Sequence, residues 1–119
     1  MVNRQEQPLS REQALSVTFA ALADPTRRAM VTRLLAHPDL TVGELARPFD
    51  IKLPAIVKHL DVLSEAGLVT RTKVGRTVQC RLKPARLKPA ARWLERTTTF
   101  WTRRLDNLET VLEAHRGRR

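Results

Sequence analysis

At Gly67 the hydrophobic period of the chain changes from helical to extended, and few small folds accommodate that change where it falls. Upstream, Ile56, Leu60 and Leu63 recur at i, i+4 and i+7, one face of a helix that Pro54 opens at its first position. Gly67 suits the left-handed residue that closes such a helix. Downstream, Leu68–Lys73 and Thr77–Leu82 are two short β-prone runs. Val74-Gly75-Arg76 lies between them, so the segment reads as a hairpin. Lys83–Pro89 is a connector with two prolines, and from about Pro89 to His115 the pattern is helical again.

The first fifty residues are punctuated as clearly. Ser10 and Gln13 have the spacing of a capping box, opening a helix to about Leu22 with Leu15, Phe19 and Leu22 on one face. Asp24-Pro25 starts a second helix, to about Ala36, expected to bury Met30, Val31, Leu34 and Leu35. His37-Pro38-Asp39 ends it. Thr41 and Glu44 repeat the capping-box spacing and open a short helix with Leu45 and Ala46 inward. Residues 48–52 form the turn to the helix at Pro54. The expected fold is mainly α with a small β-hairpin: one winged helix-turn-helix domain over 1–119, flexible at about 1–9 and 116–119. The wing spans about 69–82 and the final helix about 89–115.

At 119 residues the chain is long enough to bury a core without disulfides or structural metal. It is 42% hydrophobic and 29% charged, a globular balance. The longest apolar run, Phe19–Ala23, is far shorter than the roughly 20 residues of a membrane span. Met1–Gln13 contains no apolar stretch like that of a secretion signal, so the expected compartment is the cytoplasm. The single cysteine, Cys80, excludes an intrachain disulfide and a multi-thiolate metal site. It reads as a small core residue rather than a redox sensor, because it has no resolving partner.

Charge points to a partner. The net charge is +10, unevenly spread. Residues 1–50 carry six basic and six acidic side chains, residues 51–83 seven and two, residues 84–119 nine and four. A basic middle suits a polyanion, nucleic acid before an anionic membrane surface. An α-helix fits the major groove, about 12 Å wide, with the preceding helix crossing the backbone. Thr41–Arg47 is then the positioning helix and Pro54–Ala66 the reader helix. Its buried stripe leaves Pro54, Ala55, Val57, Lys58, His59 and Asp61 outside. Lys52, Lys58, Arg71, Lys73 and Arg76 are expected on phosphates, with Thr77 beside them in the hairpin. Pro54, Ala55, Val57 and His59 are expected to face the groove; for His59, a phosphate contact and a helix-to-helix contact both fit. Three scattered histidines and one cysteine offer no nucleophile–base pair, and no Gly-rich phosphate loop is present, so no catalytic residues are expected.

The final helix carries a heptad seam. Leu87, Leu94, Trp101 and Leu108 recur every seven residues, and Thr98, Leu105 and Leu112 form a second set offset by four. Trp93 and Phe100 flank it. The expected two-fold interface combines Leu15 and Phe19 of the first helix with Leu94, Trp101, Leu105, Leu108 and Leu112.

Leu22-Ala23-Asp24-Pro25-Thr26-Arg27-Arg28 resembles the second-helix entry of the ArsR/SmtB transcriptional regulators. Residues 58–69, Lys58-His59-Leu60-Asp61-Val62-Leu63-Ser64-Glu65-Ala66-Gly67-Leu68-Val69, resemble that family's reader helix and its exit into the wing. Phe100-Trp101-Thr102-Arg103-Arg104-Leu105 resembles the last helix of a subgroup lacking metal sites. The resemblance implies a homodimeric repressor on an inverted-repeat operator in double-stranded DNA, often in its own promoter. It favours the phosphate for His59. Two departures stand out. Val57 occupies a place where members carry a small hydroxyl residue, so a thymine methyl or the domain itself becomes its partner. Thr41–Arg47 lacks the cysteine pair of the metal sensors, and Asp106, Glu109, Glu113 and His115 do not match the Asp/His set of others. No cofactor or metal is expected. Two rival readings remain: a small-molecule-responsive regulator of the same fold, its effector unnamed, and a winged helix used only to bind an acidic protein.

Overall fold

A computed structural model describes residues 9–117. Helices α1 (Arg11–Ala21) and α2 (Pro25–Ala36) lead to a two-residue strand, β1 (Leu40–Thr41), and a short helix, α3 (Val42–Ala46). Then come α4 (Leu53–Glu65), the hairpin β2 (Val69–Val74) and β3 (Thr77–Leu82), a 3-10 turn (Pro84–Arg86) and α5 (Leu87–Arg116). The expected order of helices and hairpin is present, and the fold is mainly α with a small antiparallel sheet.

The local signals act as their chemistry requires. The Gln13 backbone N–H donates to Ser10 Oγ at 3.1 Å, and the Ser10 N–H donates to Gln13 Oε1 at 2.9 Å. Thr41 and Glu44 repeat that reciprocal pair at 3.1 and 2.9 Å. Asp24 Oδ2 accepts from the Arg27 N–H at 2.9 Å, with Pro25 at the helix start. Each arrangement satisfies amide groups that a helix start leaves open. Gly67 adopts φ +76° and closes α4. Gly75 has φ +62° while Arg76 does not enter the left-handed region, the pattern of a two-residue type II′ turn.

Met30, Leu34, Leu45, Ile56, Leu60, Leu63, Leu68 and Cys80 are fully enclosed, so α2, α3 and α4 share one core. The sheet, in order β1-β3-β2, covers an edge of it: Leu40 is paired with Cys80, and Arg71 with Cys80 from the other side.

Several details differ from expectation. Leu35 is 63% exposed, because the inward stripe of α2 is Met30, Val31 and Leu34, and Leu35 lies past its edge beside Pro38 and Leu82. The sheet has a third strand, β1, too short to show a period of two. Lys52 is the N-cap of α4 and Leu53 its first residue, which puts Pro54 second. The hairpin loop is Gly75-Arg76 alone, with Val74 paired to Thr77. Finally, α5 begins at Leu87 and passes through Pro89. Proline is tolerated there because the first-turn N–H groups have no intrahelical partner. At the other end Arg116 is helical and Gly117 caps it, so the expected tail does not start at 116. The flexibility expected of 1–8 and 118–119 lies outside the described residues.

Candidate nucleic-acid interface

The burial of Ile56, Leu60 and Leu63 fixes the rotation of α4. With that stripe inward, Lys52, Leu53, Pro54, Val57 and Lys58 face out, while Ala55 and His59 are half-buried. No side chain caps the start of α4, so its first turn is open on the exposed side. Leu53 is 56% exposed and Ile51 40%, two further apolar side chains near Pro54 on the open side of the helix start. Periodicity gives no signal for Leu53, which stands three residues before Ile56 and seven before Leu60, in register with the buried stripe yet exposed at the first position of α4.

The hairpin meets the same face. Arg71 Nη2 lies 2.8 Å from Asp61 Oδ1, pinning the base of the wing to α4. Arg71 is therefore engaged within the chain rather than free. Lys73, Arg76 and Thr77 are exposed toward the hairpin's tip. The Thr77 hydroxyl donates to the Val74 carbonyl at 2.9 Å, which leaves its oxygen as an acceptor only. On the opposite edge of the sheet, Arg81 binds the Asp39 carboxylate through Nε and through Nη2, the latter at 2.9 Å. That bidentate pair holds the Asp39 carboxyl below the usual carboxylate range and ties β3 to the turn before β1.

His59 turns toward α2. Its Nδ1 lies 3.4 Å from Arg27 Nη1 and 3.9 Å from Asp24 Oδ2. The Arg27 backbone N–H is the chief cause of the lowered pKa of Asp24. The contact between Arg27 and His59 spans 32 residues of sequence and leaves no periodic trace. Cys80 is completely enclosed, and burial pushes its thiol pKa up. Among the described residues no helix is long and apolar enough to cross a membrane.

Two core helices, a second short helix with an open basic face, and a basic hairpin pinned beside it define a winged helix-turn-helix of the DNA-binding regulator class. A family model described as a helix-turn-helix domain matches residues 22–72. The chain is similar to the HTH-type transcriptional regulator Rv2034 of Mycobacterium tuberculosis, 43% identical over 81% of this chain and 86% of that one. It is 33% identical to the transcriptional repressor SdpR of Bacillus subtilis, over 64% of this chain and 83% of that one. Among solved structures it resembles an ArsR family transcriptional regulator, RHA00566, with TM-score 0.68 and 36% identity, over 81% of this chain and 97% of that one. The chain belongs to the ArsR family of winged helix-turn-helix regulators, and membership makes DNA its partner.

Proposed function

We propose that this protein is a homodimeric repressor that occupies an inverted-repeat operator, its own upstream promoter included, and acts in the cytoplasm without catalysis. The observation that carries the dimer is the final helix. Along α5 only Ala90 is buried; Trp101, Leu105, Leu108 and Leu112 are all at least half exposed, and Leu94 nearly so. Near its start, Leu15 and Phe19 of α1 and Trp93 and Leu94 of α5 line an open apolar cleft continuous with that stripe. An apolar heptad seam left open over several turns is what a second copy covers.

In this reading α4 enters the major groove. Pro54, Ala55 and Val57 approach base edges, with Leu53 beside them. Lys52, Lys58, Lys73 and Arg76 neutralise phosphates, and Arg71 and Thr77 hold the wing in shape while lying at its DNA side. A dimer presenting two such helices fits half-sites about 34 Å apart, one turn of the duplex. Repression follows from occluding the promoter; SdpR is a repressor by name.

We further propose that the signal it responds to is not a metal. The α3 segment carries no thiol, and the one cysteine is enclosed in the sheet with its pKa raised. These residues do not fit a thiolate metal site of the ArsR type. Footprinting over the upstream promoter tests the proposal. Two protected half-sites about one helical turn apart are expected; uniform cleavage at saturating protein would overturn it.

A further inference from the structure

The Arg27 guanidinium is held from both sides. Its Nε donates to the Ala21 carbonyl at 2.6 Å and its Nη2 to the Ala20 carbonyl at 3.3 Å, both at the end of α1. The remaining nitrogen, Nη1, points at His59 Nδ1 on α4. A guanidinium has donors only, whereas a neutral imidazole has one donor nitrogen and one acceptor. The imidazole nitrogen that meets Arg27 must therefore present its lone pair. The opposite tautomer would aim an N–H at Asp24 Oδ2 across 3.9 Å, beyond hydrogen-bonding distance, and would set it against an Arg27 hydrogen. The neutral ring thus carries its proton on Nε2. Among the described residues Nε2 has no hydrogen-bond partner, and it is not one of the buried unpaired atoms. The side chain is 22% exposed.

We infer that Arg27 is a positioning residue: by donating to Nδ1 it fixes His59 as the Nε2–H tautomer and so aims that N–H outward, as the donor to a phosphate oxygen of bound DNA. The inference rests on the reading of α4 as the reader helix. It makes a residue outside the helix-turn-helix face part of the recognition apparatus. It also joins the end of α1 to α4 through one side chain, so the orientation of the imidazole depends on where α1 ends.

Two variants separate the ends of the ring. Asn at this position reaches only as far as Nδ1: His59→Asn keeps an acceptor for Arg27 and loses the outward donor. Gln reaches Nε2: His59→Gln restores a donor there and gives up the Arg27 contact. Affinity for the promoter duplex is expected to fall about tenfold or more in His59→Asn, the scale of a lost hydrogen bond to a charged group, and to recover in large part in His59→Gln. A purely structural histidine predicts the reverse order. Long-range proton–nitrogen NMR of the DNA-free full chain supplies the second readout, with the His59 signal assigned by its loss in His59→Gln. The wild type is expected to show the Nε2–H pattern, and Arg27→Met, which keeps the apolar stem and removes the donor, a mixture of tautomers. An Nδ1–H pattern in the wild type, or a pattern unmoved by Arg27→Met, overturns the inference. A wild-type chain that binds no duplex overturns the reader-helix reading and the phosphate donor with it. A chain that binds, but whose Asn variant keeps full affinity, overturns this inference alone.

Discussion

Lys58 and Arg71 both bring a positive charge to the face of α4, but in different states. Arg71 is neutralised by Asp61 at 2.8 Å, while Lys58 is exposed and forms no ion pair among the described residues. A free charge releases more counterion on binding than one already paired. Lys58→Ala is therefore expected to weaken promoter and scrambled duplex alike and to lower the salt slope by about one per subunit. A loss confined to the promoter would show that Lys58 reads bases instead. Asp61→Asn should do the opposite, freeing Arg71 and tightening binding to any duplex, as a titration against scrambled DNA would reveal. At Cys80 the raised pKa leaves little thiolate near neutrality, and the residue is enclosed. Alkylation should be slow in the folded chain and fast in denaturant; rapid native labelling would contradict the enclosure. At this scale the sequence revealed which side of α4 is buried, because burial repeats with the helix. It did not reveal that Arg71 is paired or that His59 faces Arg27, since pairs between elements have no period.

Among the elements, two glycines separate backbone strain from crowding. A Cβ at Gly67, φ +76°, would also meet the Arg86 side chain at 3.3 Å. At Gly75, φ +62°, it would meet nothing within 4 Å. Gly75→Ala should therefore cost only the left-handed conformation, about 1–2 kcal/mol. Gly67→Ala should cost more, because Arg86 must also move, and comparison of urea midpoints tests that order. The helix starts were legible because Ser10, Asp24 and Thr41 each have a chemical reason to sit outside a helix and bind its first amides. The start of α5 was not. A proline reads as a boundary, yet Pro89 lies in the first turn, where it removes no hydrogen bond. Strand β1 was hidden for another reason: two residues specify nothing until β3 arrives beside them.

The whole molecule is far more extended than a compact domain of its length. A compact chain of this length has a radius of gyration of about 13.5 Å, against the 20.2 Å found here. The excess comes from α5, whose 30 residues run about 45 Å, with every side chain beyond Thr97 exposed as far as Gly117. The heptads announced an apolar stripe; what they could not show is how far the helix runs past its own domain. Trp101→Glu combined with Leu105→Glu places charges in that seam and touches no buried core residue. Sedimentation is expected to give a dimer for the wild type and a folded monomer for the double variant, with weakened operator binding. A wild-type monomer at micromolar concentration would overturn the proposed dimer.

In the proposed function the chain recognises a particular duplex rather than charge alone. This is tested most directly by titrating the protein against its upstream promoter and a scrambled duplex of equal length, at two salt concentrations. Tight binding to the promoter is expected, one dimer per site. If each subunit neutralises three to five phosphates, affinity falls by about 10³- to 10⁵-fold between 50 and 200 mM salt. Equal, weak binding to both duplexes, vanishing with salt, would contradict it and leave the basic wing as a surface for an acidic protein.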